Sequence, residues 1–216
     1  MRLLVINPNT TAAVTEALQR RIAAVAGDAV QVDAITARFG SAYIADESSY
    51  AIGAHAALDA YAAHVYAGAK PDAIVLGCFG DPGVWALREV SGVPVMGLAE
   101  AAMREASNIG RCAIVTGGAA WKPMLERLAR SLELDRLLSK VITVAPTAAQ
   151  LAANPAMGQA LLADACREAA RDADAVIVGG AALAGMAALL QGEVPVPLID
   201  SVDAGGRAVV RGIRLA

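Results

Sequence analysis

The chain has 216 residues, 56% hydrophobic, 18% charged and 4% aromatic, with a formal net charge of −3. That length holds one large domain or two small lobes around a shared core, and the apolar content excludes a disordered chain. The charges form no basic stripe, which argues against nucleic acid as a partner, and no stretch approaches the ~18 continuous apolar residues of a membrane span.

Met1 and Arg2 lead straight into an apolar run and a turn rather than into a signal peptide, so a cytoplasmic protein is expected. In chain order, short β-type runs alternate with alanine-rich stretches of helical period. Strands are expected near 2–7, 30–35, 72–77 and 94–97, then near 111–116, 140–144, 174–179 and 195–199. Helices are expected near 11–26, 50–68, 84–90, 99–108, 121–133, 157–172, 182–190 and 202–212. This alternation predicts an α/β fold of parallel sheets with helices on both faces.

One unit is used twice. Asp72 opens DAIVLGC and Asp174 opens DAVIVGG, and each run leads to a glycine turn, a short helix and a proline-containing strand. The expected architecture is two pseudo-symmetric four-stranded parallel-sheet lobes with the active site between them. The first lobe covers 1–98 plus a returning last helix at 205–216, and the second covers 99–204. No Pro/Ser-rich linker separates them, so the lobes should share an interface.

Parallel sheets bind ligands beyond the carboxyl ends of their strands. Polar or glycine-rich loops stand at four such ends: Asn7–Thr11, Gly77–Asp81, Thr116–Gly118 and Gly179–Ala181. Cys78 is the sharpest feature. Backbone amides and a helix N-terminus are expected to lower its pKa, making it a thiol that can take and return a carbon-bound proton. Asn9, Phe79, Gly80, Gly180 and Ala181 are expected substrate contacts, and one of Asn9, Thr10 and Thr11 should cap the first helix. Thr116, Gly117 and Gly118 have the makings of an anion nest. Phe79, Val84 and Trp85 would line an apolar pocket or belong to the core. The loop at about 36–49 stands where it could cover the cleft.

Other residues receive structural readings. Cys112 and Cys166 fill the core, and three widely spaced cysteines without a Cys-x-x-Cys pair point away from disulfides and zinc. His55 and His64 fall on opposite faces of one helix, so no metal site is expected. Glu100 and Asp203 read as acids at helix starts. Neither a Walker loop nor a dinucleotide fingerprint is present, and no cofactor is expected. The expected ligand is a small molecule bearing carbonyl or carboxylate groups. Alanine-rich surface helices add the expectation of a homo-oligomer.

The runs Val5–Thr11, Leu76–Gly83 and Pro94–Ala102 together resemble hydantoin racemases of the Asp/Glu racemase superfamily, and the resemblance covers nearly the whole chain. It implies a two-lobed fold and cofactor-independent proton transfer at an acidic carbon of a hydantoin, ureide or amino-acid-like substrate. It also implies two cysteines on opposite faces of that carbon. The first matches Cys78. The place of the second holds Gly180, six residues after Asp174 as Cys78 is six after Asp72. Three readings follow. The chain is a racemase-superfamily enzyme with Cys78 as sole thiol acid/base. Otherwise it is a single-cysteine decarboxylase or isomerase, with Cys78 also open to work as a nucleophile. The third reading is a non-catalytic ligand-binding protein.

Overall fold

Residues buried on both faces of a sheet must be apolar throughout, and the central strands show it: AIVL at 73–76 and AVIV at 175–178 are at most 1% exposed. The computed structural model describes residues 1–214. The first half contains β1 (Arg2–Asn7), α1 (Ala12–Ala26), β2 (Gln31–Thr36), α2 (Glu47–Tyr66), β3 (Ala73–Leu76), α3 (Val84–Ser91) and β4 (Val95–Gly97). The second contains α4 (Leu98–Ser107), β5 (Cys112–Gly117), α5 (Trp121–Ser131), β6 (Leu138–Val144), α6 (Ala148–Ala153) and α7 (Pro155–Ala169), then β7 (Ala175–Val178), α8 (Met186–Leu190), β8 (Leu198–Asp200) and α9 (Ser201–Arg214). The sheets run β2-β1-β3-β4 and β6-β5-β7-β8, and every pairing is parallel.

The repeat has a visible cause at its first residue. Asp72 accepts the Arg2 amide at 2.7 Å, and Asp174 accepts the Arg111 amide at 2.8 Å. Each aspartate ties the start of a central strand to its neighbour. At the other end Gly77 donates to Ile6 and Gly179 donates to Val115, at 2.8 and 2.9 Å. Cys78 and Gly180 therefore leave equivalent strands at equivalent points.

Two expectations need correction. The stretch before 157 holds a further helix, α6, whose N-terminus is a Thr147–Gln150 capping box. Asn154 then ends α6 and caps α7, with Pro155 in the first turn. The helix expected over 182–190 is confined to α8, because Gly185 takes a left-handed conformation (φ 89°) after a single turn of 3₁₀ helix at Ala181–Leu183.

One core runs through both lobes, with Leu3, Val5, Ile114, Ile177 and Val202 among its buried members. Helix α9 follows the last strand of the second sheet but lies against the first lobe. At Gly205 and Gly206 it has no Cβ, which lets it approach Val75 of β3 and Ile22 and Val25 of α1. Arg21 of α1 pairs with Asp203 at 2.5 Å, and Arg207 with Glu105 of α4 at 2.7 Å. Of the returning stretch expected at 205–216, residues 215–216 lie outside the described residues.

Helices α4 and α9 each start on a buried carboxylate, supplied from different chain positions. Asp200 is the last residue of β8, and it accepts the amides of Val202 at 2.9 Å and Gly185 at 2.6 Å. At the corresponding end of β4 stands Gly97, and Asp81 reaches across to accept the amides of Ala99 and Glu100 at 2.9 and 2.8 Å. A side chain on Gly97 would overlap the Asp81 carboxyl. Glu100, expected at a helix start, is held there by Arg88 and Arg104 at 2.5 and 2.8 Å. Gly97→Ala should displace Asp81 from both amides and lower unfolding stability by about 1–3 kcal/mol, the cost of leaving buried donors unmade. Urea denaturation measures this, and an unchanged midpoint would show that the carboxyl moves aside freely.

Candidate active site

The carboxyl ends of the two sheets face one cleft, with about 450 Å³ of empty space when open water at its mouth is included. Of the residues expected there, Asn9, Cys78, Phe79, Thr116, Gly180 and Ala181 border it. Gly77, Val14, Tyr43, Ile44, Trp121, Ala148 and Ala182 complete its wall. No acidic, basic or histidine side chain borders the cleft among the described residues.

Gly80, Gly117 and Gly118 lie behind that wall. Gly80 is covered by the Trp121 ring, and its carbonyl accepts the Tyr50 hydroxyl at 3.0 Å. Gly117 is pressed against the backbone of Pro146–Ala148. The Gly118 amide donates to Val144 at 2.9 Å, and the Thr116 hydroxyl donates to the Gly179 carbonyl at 2.8 Å. Two donors of the expected anion nest, the Gly118 amide and the Thr116 hydroxyl, are thus spent inside the second lobe.

Two aromatic rings close the floor. Phe79 of the first lobe lies on Gly179 of the second, where a side chain would overlap it, and Trp121 of the second lies on Gly80 of the first. Val84 belongs to the core of the first sheet. Trp85 faces outward, half exposed, with the Arg88 guanidinium 4.7 Å from its ring centroid. Neither lines the cleft. His55 is exposed and packs edge-on against Phe39, at 5.1 Å between centroids.

The Asn7–Thr11 loop is a small polar network. The Asn9 side-chain carbonyl accepts the Asn7 amide group and the Thr11 backbone amide, both at 2.9 Å. Asn7 also donates to Thr15 at 3.0 Å. With its carbonyl engaged, Asn9 has its NH₂ group to offer the cleft, a donor suited to a carbonyl oxygen. The expected side-chain cap of α1 is not made. Thr11 stands at the cap position, but its hydroxyl donates at 2.7 Å to the carbonyl of Ala42 in the loop between β2 and α2. The Thr10 amide bonds Ser41 in the same loop at 3.1 Å. That loop brings Tyr43 and Ile44 to the cleft.

The thiol of Cys78 differs from expectation. Helix α3 starts only at Val84, with the turn 78–83 between, so Cys78 does not stand at the start of the helix that follows it. The residue is 7% exposed, and burial, reinforced by the neighbouring Asp81, pushes its thiol well above the ordinary range. Asp81 is itself pushed up to about 7, because burial outweighs its two amide partners. Cys112 and Cys166 are buried in the core and raised by burial to about 11 and about 12.

Sequence reasoning passed over Tyr43, Ile44, Val14, Trp121 and Ala148. The adjacent Tyr43 and Ile44 in the loop between β2 and α2 were the available signal for the first two. Ala148 lies on the unforeseen α6.

A family model described as Asp/Glu/Hydantoin racemase matches residues 3–209. A hydantoin racemase of Pseudomonas sp. (strain NS671) is 32% identical over 210 residues, spanning 95% of this chain and 83% of that protein. Among solved structures, allantoin racemase from Pseudomonas fluorescens superposes with a TM-score of 0.95 at 26% identity, covering 100% of this chain and 92% of that one. Allantoin racemase from Klebsiella pneumoniae gives 0.92 at 30% identity, covering 100% and 88%.

The burial of all three thiols can be checked directly. At about pH 8.5, where a free thiol is half ionised, the native protein should show no thiolate absorbance at 240 nm, and the urea-unfolded chain should show it from each cysteine. One equivalent of thiolate in the native protein at that pH would mean that Cys78 is activated in the resting state.

Proposed function

Because the chain belongs to the Asp/Glu/hydantoin racemase family, we propose that it moves a proton at the acidic ring carbon of a neutral hydantoin or related cyclic ureide, with Cys78 as the thiol acid/base. The observation that carries this reading is the position of Cys78: at the carboxyl end of a central strand, in the wall of the cleft between the lobes. The cleft wall bears no charged side chain among the described residues, which favours an uncharged ring over a free amino acid or dicarboxylate, whose anionic groups would lack a counter-charge. The Asn9 NH₂ group is our candidate for holding a ring carbonyl and stabilising the enolate oxygen. Phe79, Gly180 and Ala181 would pack the ring. Thr116 contributes surface, since its hydroxyl proton is engaged.

A second reading is favoured by Gly180. With no thiol at the position equivalent to Cys78, the site would act on one face of the carbon, as a decarboxylase or isomerase that sets a single configuration. Both readings use Cys78 and differ in whether the product is inverted.

We further propose the lobes as 1–98 plus 205–216 and 99–204, a division favoured by the packing of α9 on α1 and β3. Three free cysteines favour a reducing, cytoplasmic setting. Exposed Ile52, Trp85 and Val90 on α2 and α3 favour a homo-oligomer. No helix among the described residues is long and apolar enough to cross a membrane.

Proton NMR in deuterated water tests the central reading. Single enantiomers of 5-substituted hydantoins and allantoin should lose the α-proton with wild type and not with Cys78→Ser, a fall of about 10²-fold or more. Equal exchange by the two proteins would remove Cys78 from the chemistry.

The pH dependence has a definite sign. Burial raises the thiol, so the thiolate is scarce at neutral pH and increases as pH rises. The value of kcat/KM should climb through pH 7–9, close to tenfold per pH unit, since each unit of pH below a pKa changes the ionised fraction tenfold. A plateau across that window would show that substrate binding, rather than added base, ionises Cys78.

A further inference from the structure

Inversion at carbon needs one proton-transfer group on each face, and Gly180 supplies none. Of the residues bordering the cleft, two carry a titratable side chain: Cys78 and Tyr43. Thr116, the hydroxyl on the second lobe's side, is committed to the Gly179 carbonyl at 2.8 Å.

The backbone beside Tyr43 is held on both sides. Ala42 accepts the Thr11 hydroxyl at 2.7 Å, and Ile44 is buried against Gly53, whose missing side chain makes the room. Between these anchors the Tyr43 ring stands at the cleft, 43% exposed, in reach of solvent protons. Across the cleft the position equivalent to Cys78 is empty. The nearest atoms to a Cβ built on Gly180 belong to Ala148 and Leu183, at ordinary distances of 3.4 Å. Ala148, Ala181 and Ala182 give that side of the cleft small side chains.

We infer that the Tyr43 phenol is the second proton-transfer group, serving the face of the substrate carbon that Gly180 leaves without a thiol. The inference rests on the assignment of Cys78 above. In one direction the Cys78 thiolate takes the α-proton, and the C–H electron pair passes into the ring enolate. The Tyr43 hydroxyl then gives its proton to the opposite face of the same carbon. The site is left as Cys78 thiol and Tyr43 phenolate, and the reverse direction starts from that state. Both forms hold the same number of protons, so one singly ionised pair serves both enantiomers. This arrangement makes the chain a true racemase despite its single site thiol.

The experiment follows deuterium uptake and optical rotation together, in deuterated water, for wild type, Cys78→Ser and Tyr43→Phe with a single hydantoin enantiomer. Wild type should exchange and racemise. Tyr43→Phe should keep the Cys78-dependent exchange with configuration retained and invert about 10²- to 10⁴-fold more slowly, with KM little changed. Persisting exchange in the same sample shows that the site is folded and occupied. Inversion by Tyr43→Phe at the wild-type rate would overturn the inference. So would wild-type exchange without inversion, which leaves Cys78 in place as a one-face catalyst. Loss of exchange and inversion together in Tyr43→Phe would make Tyr43 a positioning residue and also overturn it. Full exchange by Cys78→Ser would instead sink the assignment on which the inference rests.

Discussion

Two rings laid on two glycines set the distance between the lobes. Phe79 leaves the first lobe and lies on Gly179, while Trp121 leaves the second and lies on Gly80. Each glycine stands beside a strand-end turn, so the contact fixes the turns that carry Cys78 and Gly180 relative to one another. The rings border the same cleft as Cys78, which is itself only 7% exposed. The core beneath is continuous and shared by both sheets.

Duplication supplies a matched scaffold, and the chemistry depends on where the halves differ. Asp72 and Asp174 do the same work in each half. The capping carboxylate of the following helix does not come from the same place: the second lobe takes it from its strand end at Asp200, and the first takes it from the Cys78 turn through Asp81. Gly97 is the complement of that exchange. Its consequence is electrostatic. A carboxyl that could have lain beyond the strand now lies three residues from the thiol, where its charge helps keep Cys78 protonated. The asymmetry at Gly180 therefore has a partner on the opposite side, and the two lobes are specialised rather than equal.

The strand order and the repeat were legible because doubly covered strands leave uninterrupted apolar runs, and because DAIVLG and DAVIVG carry the same start signal. The places of Cys78, Asn9, Phe79 and Gly180 at the cleft were legible for a related reason, since ligand clefts of parallel sheets open at strand ends. The rest depended on tertiary contacts that leave no local trace. Whether Gly118 offers its amide to a ligand or to Val144 is decided by a strand 26 residues away. The Thr11 hydroxyl could have capped α1, and what diverts it is the Ala42 carbonyl. Local reasoning about Cys78 counted nearby amides and a helix start. It had no measure of burial, which reverses the sign of the shift. Helix α6 was a miss with a clear local signature, the Thr147–Gln150 capping box.

A neutral cleft around a buried thiol restricts the chemistry more than the thiol does. On the proposed reading, with no charged side chain bordering the cleft among the described residues, the enolate would be stabilised by directed dipoles such as the Asn9 amide group and by delocalisation within the substrate ring. A hydantoin ring spreads that charge over two carbonyls, whereas the α-carbon of an amino acid carboxylate would place a second negative charge beside the first. Burial raises the thiol, and a thiolate formed there is a stronger base than an exposed one. The same burial makes it scarce. A solvent-exposed phenol at the mouth offers a route by which protons enter and leave without opening the floor. On the proposed reading, the buried thiol and the exposed phenol stand on two loops of the first lobe, and both border the cleft that the second lobe completes.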